Sequence, residues 1–189
     1  MSIKRLHLLA GPNGAGKSTF VDRVLHPMTG LPFVNADAIA VERWPGAQSE
    51  HAYEASRVAS VMRDQLMSEG RSFNTETVFS HPSKVALVQN AATAGYRVYI
   101  HVIMVPVDVT VGRVGERVKR GGHSVPEEKI RQRYDRLWRL IVRARQSATR
   151  TDFYDKSDDV SPYRHIATYH RGVLSGHAQW PQWTPEELL

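Results

Sequence analysis

The chain alternates short apolar runs with longer segments whose apolar positions recur every three or four residues. Runs of this length indicate buried strands, and the wider spacing indicates amphipathic helices. The predicted strands cover about 5–10, 32–36, 72–77, 97–105 and 164–171. Because helical segments separate the first four strands, the pattern predicts an α/β domain with about five mostly parallel strands flanked by helices in three layers.

The helical segments have recognisable ends. The predicted helices cover about 16–25, 49–70, 82–94, 107–120 and 124–148. In the second, the apolar face comprises Ala52, Ala55, Ala59, Met62 and Leu66. The last begins at a capping box on Ser124 and Glu127. We expect the tail, about 172–189, to wrap over the core in extended form.

Composition excludes several classes of protein to which the chain could belong. The 189 residues include no cysteine, which excludes disulfides, thiolate chemistry and cysteine-ligated zinc. The longest apolar stretch, 98–107, is far shorter than the roughly 20 residues of a membrane-spanning helix. These features predict a soluble, cytoplasmic protein that forms one domain over residues 1–189, with no membrane partner.

The net charge of +6 is unevenly distributed. Residues 113–150 hold 12 Lys and Arg against four acidic residues, a net of +8, whereas the remainder has 13 basic and 15 acidic residues. A local cationic surface suits phosphate-bearing ligands, and it suits nucleic acid equally.

One motif has a specific chemical meaning. The motif comprises Gly11, Pro12, Asn13, Gly14, Ala15, Gly16, Lys17, Ser18 and Thr19, a full match to G-x-x-x-x-G-K-[ST] between an apolar strand and a helix. Its backbone N–H groups are expected to surround phosphate oxygens at the helix N-terminus. Lys17 would reach the β- and γ-phosphates of ATP or GTP, and the Ser18 hydroxyl would ligate Mg²⁺.

Carboxylates end the next two predicted strands. Asp37 follows Asn35-Ala36 and is a candidate base for an attacking hydroxyl, with helix capping or a water-mediated Mg²⁺ contact as alternatives. Glu76 and Thr77 end the third strand, where open α/β sheets bind ligands. They are candidates for holding the acceptor's hydroxyls or for supporting Mg²⁺. Asp155 is a candidate contact to the nucleotide base or the acceptor, with an acidic surface loop over 152–159 as the alternative.

Arginines recur on both sides of the break Gly121-Gly122-His123. Two arginine-rich helices joined by a turn, over about 113–140, predict a lid that closes over a triphosphate, because the guanidinium fork binds phosphate in bidentate fashion. The candidates nearest the break are Arg117, Arg120, Arg131 and Arg133. His123 is placed either to contact phosphate or to fill the turn.

The chain resembles the zeta-toxin family of P-loop kinases over roughly residues 6–159. The resemblance rests on four segments, residues 11–19, 35–37, 74–77 and 117–133. The resemblance implies an ATP- or GTP-dependent kinase whose acceptor is a sugar hydroxyl of UDP-N-acetylglucosamine. It implies Asp37 as base, Glu76 and Thr77 as acceptor contacts, and Arg120 and Arg133 as phosphate clamps. It also implies a small helical antitoxin that blocks the nucleotide site.

Two other functions are compatible with the same residues. In a nucleic-acid or RNA-end kinase, residues 113–150 would follow a phosphate backbone, although Tyr134 and Trp138 are the only aromatic residues of that segment. In a non-kinase ATPase or nucleotide switch, hydrolysis would proceed without a phosphorylated product.

Overall fold

The computed structural model describes residues 3–119 and 125–189, without the side chain of Arg117. Its strands are β1 (Arg5–Ala10), β2 (Phe33–Val34), β3 (Phe73–Thr77), β4 (Arg97–Met104), β5 (Arg150–Asp155), β6 (Arg164–His170) and β7 (Val173–Ser175). They form one sheet in the order β2-β3-β1-β4-β5-β6-β7. The first five strands pair in parallel, and β6 and β7 are added antiparallel.

Helices connect the parallel strands. They are α1 (Lys17–Phe20), a π-helical segment (Val21–Leu25), α2 (His26–Thr29), α3 (Ala36–Arg43), α4 (Ala52–Ser68), α5 (Ser83–Thr93), α6 (Val107–Lys119), α7 (Glu127–Arg145) and a 3-10 turn (Glu186–Leu188). The predicted α/β class is confirmed. None of the helices within the described ranges is both long and apolar enough to cross a membrane.

The sheet separates two apolar cores, which gives the predicted three layers. Side chains of β1 alternate between them: Leu8 packs with α4, α5 and α7, whereas Leu9 packs with Phe20 and Leu25 of the segment that follows the P-loop. Both faces of the central strands are thereby covered, as parallel strands require. The carboxyl ends of β1 and β3 meet at one edge, because Ala10 pairs with Thr77.

The sheet has seven strands where about five were predicted, and the alternative of an acidic surface loop is wrong for Asp152 and Asp155. Residues 150–155 form β5, in which Asp152 is 3% and Asp155 is 7% exposed. Aspartate is uncommon in strands, but here each carboxylate has a cationic partner. Arg150 Nε lies 2.8 Å from Asp152 Oδ2, and Arg164 Nη2 lies 3.1 Å from Asp155 Oδ2.

The predicted apolar face of α4 is confirmed in part. Met62 is 39% exposed, and the next residue, Arg63, is 5% exposed. Ala55, Ala59 and Leu66 are buried as predicted. The helix therefore directs an arginine, rather than a methionine, towards the interior.

The predicted lid is in large part a core helix. The buried face of α7 comprises Ile130, Tyr134, Leu137, Trp138, Leu140, Ile141 and Ala144. The Tyr134 hydroxyl also donates to the Val105 carbonyl at 3.1 Å. Ser124, the predicted cap, lies outside the described residues. Over the same core pack Trp180, Trp183 and Leu188 of the C-terminal tail.

Candidate active site

The P-loop leaves β1 and enters α1 through two glycines that side chains could not replace. At Gly11, φ is 151° and a Cβ would overlap the Ile103 carbonyl oxygen. Gly16 precedes α1 in the left-handed region, with φ of 83°. Both conformations favour glycine. The loop is therefore held close against β4 and positions Lys17 and Ser18 at the first turn of α1.

Lys17 and Ser18 are connected to a carboxylate from β3. The Lys17 side chain is 6% exposed, and its Nζ donates to the Pro12 carbonyl at 2.9 Å. The same Nζ lies 3.7 Å from Glu76 Oε1. The Ser18 hydroxyl donates to Glu76 Oε2 at 2.9 Å. The parallel pairing of β1 with β3 brings these three residues together.

Asn35, rather than Asp37, caps α3. Asn35 Oδ1 accepts from the backbone N–H groups of Asp37, at 2.7 Å, and Ala38, at 3.2 Å. Its Nδ2 donates to Glu76 Oε2 at 3.0 Å. The predicted strand end is displaced, since β2 ends at Val34 and Asp37 lies in the first turn of α3. The Asp37 carboxylate does not cap the helix, and it is exposed towards a cavity.

A cavity of about 750 Å³ joins these groups. The predicted site residues that line it are Asn13, Gly14, Gly16, Lys17, Ser18, Thr19, Asp37, Glu76, Thr77 and Arg133. Gly11, Pro12 and Ala15 are buried in the loop beneath. Arg120 and His123, together with the Arg117 side chain, lie outside the described residues.

The two predicted arginines of α7 differ in position. Arg133 lines the cavity. Arg131 is not among the lining residues, because its guanidinium is bound elsewhere, 2.9 Å from Asp108 Oδ1 and 2.9 Å from Glu127 Oε1. Both carboxylates also raise the pKa of Arg131. The structure therefore does not bring Arg131 to the site, contrary to the prediction that it contacts the nucleotide.

Several lining residues were missed by the sequence reasoning. They are Tyr53, Ser56, Arg63, Ser80, His81, Ser83, Lys84 and Arg113. Tyr53, Ser56 and Arg63 follow one another at spacings of three and seven along α4, the periodicity of one helix face. The spacing is visible in the sequence, but it does not distinguish a helix face that lines a cavity from one that is exposed to solvent.

The segment after β5 contacts Arg113 and Gly16, two residues that line the cavity. Arg113 Nη1 donates to the Lys156 carbonyl at 3.1 Å, and its Nη2 lies 3.2 Å from Asp159 Oδ1. The Tyr163 hydroxyl donates to the Gly16 carbonyl at 2.8 Å. These contacts connect α6 and the P-loop with residues 156–163, the segment between β5 and β6.

The donor set beside Lys17 suits Mg²⁺. This ion prefers oxygen ligands and is usually held by one or two protein groups together with water and substrate phosphates. The Ser18 hydroxyl and the Glu76 carboxylate, already in hydrogen-bond contact, supply such oxygens.

Comparison with known proteins agrees with this geometry. The family model described as an AAA domain matches residues 6–140. An uncharacterized protein of Haemophilus influenzae is 27% identical over 125 residues, which covers 66% of this chain and 88% of that protein.

Solved structures share the fold at low identity. A complex of AvrRxo1-ORF1 and ORF2 with ATP matches with a TM-score of 0.71 and 18% identity over 92% of this chain, which spans only 60% of the matched chain. The PezAT toxin–antitoxin system of Streptococcus pneumoniae gives 0.60 and 16%, covering 87% of this chain and 72% of that one. Shikimate kinase from Acinetobacter baumannii with shikimate gives 0.53 and 20%, covering 85% and 87%. The chain has the P-loop kinase fold and belongs to the AAA-domain family.

Proposed function

We propose that this protein is a kinase that transfers the γ-phosphoryl group of ATP, or of GTP, to a hydroxyl group of a small molecule. The observation that carries the proposal is the meeting in one cavity of a P-loop lysine, an uncommitted carboxylate and an arginine, namely Lys17, Asp37 and Arg133. Phosphoryl transfer needs these three functions: phosphate positioning, orientation of the nucleophile and stabilisation of developing charge.

Nucleotide binding falls to the P-loop side of the cavity. Backbone N–H groups of 11–19 and the Lys17 ammonium would hold the β- and γ-phosphates. Ser18 and Glu76 would hold Mg²⁺, which neutralises phosphate charge when bound. Because Glu76 already accepts from Ser18, metal support fits it better than the acceptor contact implied by the family resemblance.

Asp37 is positioned to act as the base. As the acceptor oxygen forms its bond to the γ-phosphorus, the bond to the β–γ bridging oxygen breaks. The hydroxyl proton passes to the Asp37 carboxylate, which is not used to cap α3. Arg133, with Arg120 proposed beside it, stabilises the charge that develops on the transferred group. Thr77, and His123 from outside the described residues, are proposed as acceptor contacts.

For the acceptor, we propose a nucleotide-sugar such as UDP-N-acetylglucosamine, and for the partner a small helical antitoxin. Support comes from the zeta-toxin resemblance and from the fold shared with a toxin–antitoxin system.

The test is transfer from γ-labelled ATP with Mg²⁺ into UDP-sugars, nucleosides and RNA ends, with products resolved by mass. We expect Asp37→Asn to abolish transfer and to leave ATP binding within about twofold, because the carboxylate acts on the acceptor. Lys17→Ala should abolish both. Glu42→Gln, an exposed carboxylate on the same helix, should leave transfer unchanged.

Three results would contradict the proposal. Full transfer by Asp37→Asn would remove that residue from the role of base. Labelled RNA ends in place of a small product would favour the nucleic-acid kinase. Free phosphate as the sole product, unaffected by Asp37→Asn, would indicate an ATPase or nucleotide switch.

A further inference from the structure

The wall of the cavity formed by α4 and α5 carries two cations that the proposed phosphoryl transfer does not use. Arg63 lies on α4 and Lys84 in the first turn of α5, and both line the cavity that holds Asp37. Arg63 is 5% exposed, and Lys84 is partly buried.

Within residues 3–119 and 125–189, Arg63 and Lys84 have neither an ion-pair nor a hydrogen-bond partner. The other cations of the cavity include Lys17, which has Glu76 within 3.7 Å, and Arg113, which is paired with Asp159. A buried guanidinium without an ion-pair partner is costly, since burial removes water from the charge. Burial lowers the pKa of Arg63, and the neighbouring Asp64 carboxylate, which raises it, offsets this only in part.

The two cations also act on each other. Burial lowers the pKa of Lys84, and the neighbouring Arg63 guanidinium lowers it further. Two like charges held beside each other in a cavity wall are unfavourable for folding alone. They become favourable once an anion lies between them and accepts hydrogen bonds from both.

Helix α5 adds to this positive potential. It is 11 residues long, and its N-terminal end, with Ser80, His81 and Ser83, faces the same cavity. The macrodipole of a helix places partial positive charge at that end. Its first turn contains no acidic residue. The Ser80 hydroxyl supplies a further donor, whereas the Ser83 hydroxyl is hydrogen-bonded to His81 Nδ1.

We infer that Arg63 and Lys84 form an anion subsite that binds a phosphate group already present on the acceptor. The substrate class is thus a phosphorylated hydroxyl compound, whose free hydroxyl faces Asp37 while its phosphate lies between α4 and α5. Two cations match the charge of about −2 on a phosphate monoester better than that of a carboxylate. The inference rests on the proposed kinase function, because it assigns the acceptor of that reaction.

The first experiment separates this subsite from the nucleotide site. With Mg²⁺ and a non-hydrolysable ATP analogue at saturation, inorganic phosphate is titrated and its binding measured by calorimetry. We expect one further phosphate site, weakened at least about tenfold in Arg63→Gln, because a charge-assisted hydrogen bond is lost. Arg57→Gln, an exposed arginine on the same helix, is the matched control and should bind phosphate as the wild type does.

Thermal unfolding supplies a second readout. Arg63→Met should unfold at a higher temperature than the wild type without ligand, because an unpaired buried charge is removed. With the ATP analogue bound at the P-loop, it should also lose the further increase that inorganic phosphate gives to the wild type. Lys84→Gln, at a less buried position, tests the subsite in the same way if the Arg63 variants do not fold.

The substrate class is tested with matched acceptors, a sugar and its phosphate ester. Transfer to the ester at least about tenfold faster than to the sugar, lost in Lys84→Gln, is the expected result. The subsite would be overturned if the ATP analogue still binds while phosphate binding and acceptor preference are unchanged in Arg63→Gln and Lys84→Gln. Failure of the analogue itself to bind would instead contradict the proposed kinase.

Discussion

At the scale of single residues, Glu76 connects the parts of the site. Its carboxylate accepts from Ser18 of the P-loop and from Asn35, the cap of α3, and lies near Lys17. A single side chain thus couples Ser18 of the P-loop to the helix that carries Asp37. Its location at the end of a strand was predicted from the sequence, but its three partners were not.

A pair of histidines on the sheet provides a prediction at this scale. His7 Nδ1 and His101 Nε2 are 3.1 Å apart, and each ring is partly buried. Burial lowers the pKa of both to about 4; Arg5 lowers that of His7 further, and His7 lowers that of His101. Between pH 6.5 and 4 the unfolded chain binds protons that the folded chain does not. The free energy of unfolding should therefore fall as the pH is lowered through this range, by up to about 3 kcal/mol for His101.

Urea denaturation between pH 7 and 4 measures this decrease. His101→Phe retains the ring contact with Phe20 and removes one titrating group, so the decrease should become smaller. His170→Phe, at an exposed position on β6, should leave it unchanged. A profile that is the same for wild type and His101→Phe would show that the buried pair does not control acid stability.

At the scale of elements, α7 serves two purposes. One face fills the core between the sheet and α5, while Arg133, on its first half, lines the cavity. Helix periodicity separates the roles of neighbouring arginines. Arg131, two residues earlier, lies about 200° away around the helix axis and pairs with Asp108.

The two arginines should therefore differ in their effect on catalysis. Arg133→Ala should lower kcat on the order of 10²- to 10³-fold with a smaller change in KM, because its contact strengthens in the transition state. Arg131→Ala is the control from the same helix, and its kcat should stay within about twofold of the wild type. Steady-state kinetics on both variants decide this, and equal losses would contradict the assignment of Arg133 alone.

At the scale of the whole molecule, ion pairs among the described residues compensate part of the positive charge of 113–150. Lys119 pairs with Glu116, Arg139 with Glu187, and Arg150 with Asp152. The aromatic residues of the segment, Tyr134 and Trp138, are buried and offer no stacking surface for bases. This distribution favours a discrete anionic ligand over a nucleic-acid backbone.

The salt dependence of function should reflect this. For a small acceptor, we expect a log–log slope of KM against salt concentration below about 2. Binding along single-stranded RNA would change with a slope of about 0.7 for each phosphate neutralised. The double variant Arg136→Gln, Arg143→Gln, at exposed positions, should leave transfer unchanged. Steep salt dependence together with loss of transfer in this variant would favour the nucleic-acid reading.

Features of the fold that depend on adjacent residues were predicted from the sequence, whereas features that depend on distant residues were not. The boundaries of β1 and the P-loop were predicted closely, because an apolar run and a glycine motif are properties of adjacent residues. β5 was missed because Asp152 and Asp155 disfavour a strand until Arg150 and Arg164 pair with them. The apolar face of α4 was misassigned in part for a similar reason, since the cavity into which Arg63 points is built by β3, α5 and α7 as well.

The sequence by itself determined the fold class, the phosphate-binding loop and the carboxylates at the strand ends, because these depend on periodicity and on short motifs. Tertiary structure alone decided that Glu76 meets Ser18, that Asn35 leaves Asp37 available, and that Arg133 rather than Arg131 lines the cavity. It also placed Arg63 beside Lys84, where neither has an ion-pair partner among the described residues. Such pairings join residues that are distant in the chain, and only strand register and helix packing bring them within reach of one another.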